Sequence, residues 1–434
     1  MTKTARKENM IELNAGSGKT GIGAAGRRSV TGCLLVQICV GIIYLWSVLK
    51  SSVIASLSMS SATAGMMASY MLMAFVTGAL IGGILTDRKG HRFTCMLGVA
   101  VFAAGIASSA LVTAADPGLL VVTYAVLGGV GSGIAYSSCI NCIQKWMPGR
   151  KGLASGIAIG AFGFSTVIFV PVMRLVMRVF TNADGIVDFA GVFGLLGAAF
   201  FVLGMAGCMM IRRPAETAPA AAAVKKSEDY TFAKAIRSSK FWCIFFIVFF
   251  INGAWNIVTP MIYDLGLGRG LTPETAALAL SLTGIANTAG RILMATLSDR
   301  IGRTKTITIL SLMTVAASLL LIRVTGVGYI AVICALAFAY GGPSSINAAF
   351  TTDCFGTKHC AAIYGVIMLA LGASSLFFNM LVSTVLGGSV TISLSVGAAS
   401  ALIPIVLSGV MLKDHTGYFT LPFLAPQPDR YKAA

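Results

Sequence analysis

The chain has 434 residues, of which 56% are hydrophobic and 11% charged, and it carries a formal net charge of +17. Soluble domains hold about 45–50% apolar and about 25% charged residues, so this composition excludes an ordinary soluble enzyme and indicates a polytopic membrane protein. A net charge of this size would suit a nucleic-acid binder only if it were gathered on a soluble face, and it is not.

In chain order, residues 1–28 form a polar, basic tail that is too long for the charged start of a cleavable signal. Apolar runs of spanning length follow near 30–49, 62–85, 93–113, 118–142, 152–174 and 187–211. After a break they resume near 241–262, 273–297, 306–323, 327–350, 361–385 and 390–412. Roughly 20 apolar residues at 1.5 Å each cross the hydrocarbon core. Segment 212–240 holds the Pro/Ala-rich linker 214–229, and residues 413–434 form a second polar tail. The predicted fold is therefore an all-α membrane protein of twelve transmembrane helices in two six-helix halves, 29–211 and 241–412. After the linker, Tyr230, Ala233 and Ile236 share one face of a short predicted helix at the interface.

Of the 32 lysines and arginines, 26 fall in the tails, the linker and alternate loops. The positive-inside rule places both termini and the linker in the cytoplasm, in a cell membrane, and topology alone explains the basic excess. The expected partners are membrane lipids, with no nucleic acid, and the chain is expected to be a monomer. The ten cysteines lie mostly within spans, where they pack as small apolar groups.

The halves repeat. Asp87-Arg88-Lys89-Gly90-His91-Arg92 after the second run matches Asp299-Arg300-Ile301-Gly302-Arg303 after the eighth, 212 residues further on. Parallel repeats of this kind mark secondary transporters whose substrate binds between similar halves. In each turn the aspartate can accept from N–H groups at a helix start, the glycine reverses the chain, and the arginines pair with acids or lipid phosphate. Two copies at matched positions predict a gating motif rather than a mere anchor.

The eighth run carries Arg291, about 12 Å along the helix from Asp299. Burying a guanidinium at that depth costs at least ~2.5–3.5 kcal/mol, so it is expected to face a polar cavity. Asn287 lies one turn away on the same face. The pair suits an anion, and a guanidinium fork grips both oxygens of a carboxylate. A structural role for Arg291, bonded to carbonyls or to Asp299, remains the competing reading. Further wall candidates well inside spans are Tyr44, Tyr136, Asn141, Tyr340, Asn347 and Tyr364, which can donate to a carboxylate or simply pack.

The two Asp-Arg turns resemble the loop signature of the major facilitator superfamily. Gly41-Ile-Ile-Tyr44-Leu-Trp46-Ser47, Lys145-Trp146-Met-Pro148-Gly-Arg150-Lys151-Gly152, and Tyr340-Gly-Gly through Asp353-Cys-Phe355-Gly356 are similar to its oxalate:formate antiporter branch, which is related to the monocarboxylate transporters. The resemblance covers about residues 30–412 and implies a carboxylate substrate held by the arginine of the eighth helix. It also implies a proton-coupling acid one turn earlier, where this chain has Asn287. Oxalate-exchanging members have a second cation, a lysine, on the eleventh helix. Here residues 364–375 hold none, which favours a monocarboxylate such as lactate, pyruvate, formate or acetate over oxalate:formate exchange.

No acid or histidine falls at mid-membrane on this map, so exchange of anions, uniport, or symport with the proton on the substrate all remain open. A non-transporting anion receptor would be expected to carry a signalling domain. An intramembrane enzyme would need a nucleophile, metal or acid–base set that the spans do not offer; no cofactor is expected. Gly152, Gly156 and Gly160 line one face of the fifth run, and Gly128, Gly129, Gly131 and Gly133 stud the fourth, predicting close helix packing. Gly16-Ser-Gly18-Lys19-Thr20 lacks the first glycine and the strand of a phosphate-binding loop, and the Cys139/Cys142 pair lacks a second ligand pair.

Overall fold

A computed structural model describes residues 23–41, 46–182, 185–212, 230–384 and 389–415. The linker 214–229, Tyr44 and residues 16–20 lie outside them. Apart from one isolated bridge between Thr181 and Val187, the described residues form helices.

The first half comprises α1 (Ala24–Val40), α2 (Trp46–Leu57), α3 (Ser61–Lys89), α4 (His91–Ser108), α5 (Gly128–Trp146), α6 (Lys151–Val179) and α7 (Phe189–Met210). The second comprises α8 (Phe232–Ile236), α9 (Ser239–Ile251), α10 (Gly253–Val258), α11 (Ile262–Gly268), α12 (Pro273–Ile301), α13 (Arg303–Leu320), α14 (Val327–Phe355), α15 (Cys360–Thr384) and α16 (Val390–His415). The α1/α2 pair makes the first span and α9–α11 the seventh, giving six in each half. Ten stretches of the described residues are long and apolar enough to cross a membrane by themselves. The ninth span, α13, is diluted at its start by Arg303, Thr304, Lys305 and Thr306.

Helix starts follow local chemistry. The hydroxyls of Ser60, Thr231, Ser238 and Thr272 accept the third N–H of the helices they precede, and Asp188 caps α7. Pro273, which has no N–H to lose, sits at the first position of α12. The short helix α8 departs from expectation. Ala233 is exposed, while Ala235 is buried and Phe232 and Ile236 are partly buried against the second half. Tyr230 does pack there: its N–H donates to Phe355 O at 3.0 Å, and Lys234 lies over its ring.

The largest revision concerns the predicted turns. Helix α3 runs through Asp87, Arg88 and Lys89, and α12 runs through Asp299, Arg300 and Ile301. Only Gly90 and Gly302 lie outside the helices, at φ 86° and 97°, where an L side chain is strained. Each glycine N–H closes the preceding helix on Thr86 O or Ser298 O. Gly356 after α14 repeats the geometry with φ 80° and its N–H on Thr352 O, so Asp353-Cys354-Phe355-Gly356 is a third Asp-x-x-Gly helix end.

Packing inside a bilayer depends on close approach rather than on a hydrophobic drive. Cβ atoms on Gly129 and Gly133 would strike α3, and one on Gly131 would strike α4 at Phe102. The predicted glycine face of α6 meets α12 of the other half: Gly152 abuts Ala295 O, Gly156 abuts Arg291 O and Ile292, and Gly160 abuts the Ile292 side chain. On the other seam α3 packs on α15, with Gly83 against Ala361 O. Cys139 and Cys142 are less isolated than their sequence suggests, since Cys95 Sγ lies 3.5 Å from Cys139 Sγ. All ten cysteines are unlinked, and eight are buried.

Candidate functional site

Arg291 is only 6% exposed and lies where the halves meet. Its Nε donates to Asn287 Oδ1 at 2.9 Å, closing the pair expected at one helical turn. Its Nη1 donates to Ile159 O on α6 at 3.2 Å, and a Cβ on Gly163 would come within 2.9 Å of the same nitrogen. The guanidinium thus reaches across from the second half against a glycine of the first, donating to a side-chain amide oxygen on its own helix and to a backbone carbonyl on α6. The Asp299 carboxylate, the alternative partner, is bound elsewhere.

Two tyrosines join this arginine. Tyr136 on α5 packs edge-on against Phe75 and Phe162, with ring centroids 4.9 and 5.0 Å away. Tyr364 on α15 is 2% exposed, and its hydroxyl makes no hydrogen bond of ordinary geometry. The Tyr136 hydroxyl and the Arg291 charge are both close enough to act on it. A buried polar atom without a partner is uncommon and invites a ligand or water. Asn347 Oδ1 on α14 is likewise buried without a partner. Tyr340 is half-buried and stacked on Trp255, centroids 5.2 Å apart at 20°. The backbone of the next residue, Gly341, is pressed against Asn287 O.

The repeated motif joins the halves at their basic end. Asp299 accepts from the N–H groups of Gly152 and Leu153 at 2.8 and 2.9 Å, the first turn of α6 in the opposite half. Arg303 Nη2 pairs with the same carboxylate at 2.7 Å. Asp87 does the reciprocal thing less completely: its Oδ2 accepts from Ala362 N in the first turn of α15 at 3.1 Å, and its Oδ1 is buried without a partner. A carboxylate at a helix N-terminus meets both free N–H groups and the positive end of the dipole. Of the motif's four arginines only Arg303 pairs with an acid among the described residues; Arg88, Arg92 and Arg300 are exposed.

The sequence alone missed the remainder of this seam. Asp353 binds Lys151 Nζ and Arg303 Nε, each at 2.9 Å, tying α14 to α6 and α13. Gln144 Nε2 donates to Ser155 Oγ at 2.7 Å, and its Oε1 accepts from Thr352 Oγ1 at 2.7 Å, linking α5 to α14. Asn141, named in the sequence as a wall candidate, lies in this seam instead, where its Oδ1 accepts from the Cys360 thiol. The one signal in sequence was the third Asp-x-x-Gly at 353–356. Among the described residues no group of three or more His, Cys, Asp or Glu could hold a metal ion.

Comparisons with known proteins complete the site. The Major Facilitator Superfamily profile matches residues 31–379. The chain is 26% identical over 358 residues to the oxalate:formate antiporter of Oxalobacter formigenes, covering 80% of this chain and 82% of that one. It is 24% identical to apicoplast pyruvate carrier 1 of Toxoplasma gondii, covering 93% and 90%. The E. coli fucose:proton symporter FucP shares the fold with a TM-score of 0.66 at 13% identity, over 88% of this chain and 98% of that one.

Proposed function

Because this chain belongs to the major facilitator superfamily, we propose that it is a secondary carrier of a small monocarboxylate of the lactate, pyruvate, formate or acetate class. The observation that carries this reading is Arg291, a guanidinium nine-tenths buried where the halves meet and close to the Tyr364 hydroxyl, so that a carboxylate there would meet a cation and a hydroxyl donor together. The guanidinium fork would take both oxygens of the carboxylate, and the buried Tyr364 hydroxyl would donate to one of them. Tyr136, Phe75 and Phe162 supply an apolar wall that suits a short alkyl group.

Two relatives carry carboxylates in their names, an oxalate:formate antiporter and a pyruvate carrier. The first favours a second reading, exchange of a dicarboxylate for a monocarboxylate. Charge favours the monocarboxylate: α15 holds no lysine or arginine to pair with Arg291 around a dianion. With the basic end in the cytoplasm, the Asp87 and Asp299 seams close the cytoplasmic side, and opening them while the other side closes gives alternating access.

Uptake of radiolabelled lactate into proteoliposomes tests the reading, with and without internal formate, pyruvate or oxalate and with an imposed pH gradient. Arg291→Ala is expected to abolish uptake while the amount of folded protein in the membrane is unchanged. Loss of the folded protein itself would return Arg291 to a structural role, and uptake driven only by internal oxalate would establish the exchanger.

A further inference from the structure

A cleft of about 460 Å³ opens at the basic end on the outside of the first half, lined by Lys89, Arg92, Phe93, Met96, Ile211 and Arg212. It lies where α3 ends, α4 begins and the chain leaves α7. We propose that this cleft binds the phosphate headgroup of an anionic phospholipid, with the acyl chain laid over Phe93 and Met96.

Three observations carry the assignment. Lys89, Arg92 and Arg212 are exposed, and none has an acid partner among the described residues. Three like charges around one cleft repel unless an anion sits among them. Next, α4 begins uncapped: its N-cap, Gly90, offers no side chain, and its first turn holds no acid but does hold Arg92. A cation at the positive end of a helix dipole is misplaced on its own, whereas a phosphate there would offset both the dipole and the arginine.

The third observation separates a lipid from a free anion. Phe93 is 51% exposed beside these cations, and Ile211 and Met96 complete an apolar floor. Inorganic phosphate has no use for that surface, and an acyl chain at headgroup depth does. Arg212 is also held in place, since its N–H donates to Ser29 Oγ on α1 at 3.0 Å. Nor does the repeat require these charges. At the matched junction Ile301 replaces Lys89 and Thr304 replaces Arg92, while Arg303 turns inward to Asp299 and Asp353.

The experiment titrates the full-length protein in detergent with dioleoylphosphatidylglycerol, dioleoylphosphatidylcholine or inorganic phosphate, and counts bound lipid by native mass spectrometry. Phosphatidylglycerol is expected to outcompete phosphatidylcholine. Its affinity should fall roughly fivefold for each of Lys89→Gln, Arg92→Gln and Arg212→Gln, and on the order of 100-fold when all three are combined. Lys305→Gln at the matched junction should change nothing. The three side chains are exposed, so the variants should elute as wild type on size exclusion; if the triple variant does not, the single variants decide. Equal binding of the two lipids, full retention of phosphatidylglycerol by every variant, or its displacement by millimolar phosphate would each overturn the proposal, the last in favour of a free-anion site.

Discussion

Asp299→Asn should open the basic end of the protein, and the size of the effect follows from its contacts. Two hydrogen bonds to Asp299 cross between the halves, from Gly152 and Leu153 N–H, while the Arg303 pair stays within the second half. Hydrogen bonds to a charged acceptor contribute about 1.5–3 kcal/mol each, so the crossing pair holds the closed state by roughly 3–6 kcal/mol. An asparagine oxygen can keep one bond at about 1 kcal/mol, while its amide group faces the second N–H without accepting from it. The net loss is about 2–5 kcal/mol, or roughly a 30- to 5,000-fold shift toward the open arrangement. A native reporter sits in the companion seam beside Asp87: Cys360 is 2% exposed and bonded to Asn141 in the closed state. Its reaction with a charged maleimide, resolved from the other cysteines by peptide mass spectrometry, should accelerate in proportion to the open population. An unchanged Cys360 rate in folded Asp299→Asn would refute the view that these two bonds hold the halves together.

Arg291→Lys should lower transport nearly as much as Arg291→Ala, because an ammonium cannot grip two oxygens at once; uptake at saturating substrate with matched protein levels measures it, and a fully active lysine variant would refute the fork. Tyr364→Phe removes a buried hydroxyl that lies beside Tyr136 and Arg291, so the apparent KM for substrate should rise about 10- to 150-fold, as for one lost hydrogen bond to a charge, with little loss in melting temperature. An unchanged KM with a higher melting temperature would mean that the hydroxyl serves no ligand. Gly152→Ala and Gly83→Ala set a methyl against Ala295 O and Ala361 O respectively, and each should raise Cys360 labelling as Asp299→Asn does, by steric wedging rather than by loss of charge.

The spans and their division into halves were legible because a bilayer imposes a length and a composition on every crossing helix. Arg291 was legible for the inverse reason: a guanidinium inside an apolar run is costly enough to need a cause. Asn287 followed from helical spacing alone. The shape of the junctions was not legible, since Asp-Arg-Lys-Gly reads as a turn by composition, yet the aspartate is needed on the last helical turn to reach another helix's N-terminus. Nor were the partners. Lys151 with Asp353 and Gln144 with Thr352 lie about 200 residues apart and leave no periodic trace. Tyr340 and Tyr364 look alike in sequence, and only the fold sets one against Trp255 and the other beside Arg291.

A single residue separates α3 from α4, and again α12 from α13. Surface connections usually absorb insertions cheaply because a longer tether costs little. These two are elbows rather than tethers: with the glycine backbone fixed and both flanks helical, there is no slack to take up a displacement. A push on α12 at its seam is therefore delivered to α13 almost undiminished, and through it to the rest of the bundle. The two helices of each pair are geared to turn together, and one added residue at either elbow would put play into that linkage.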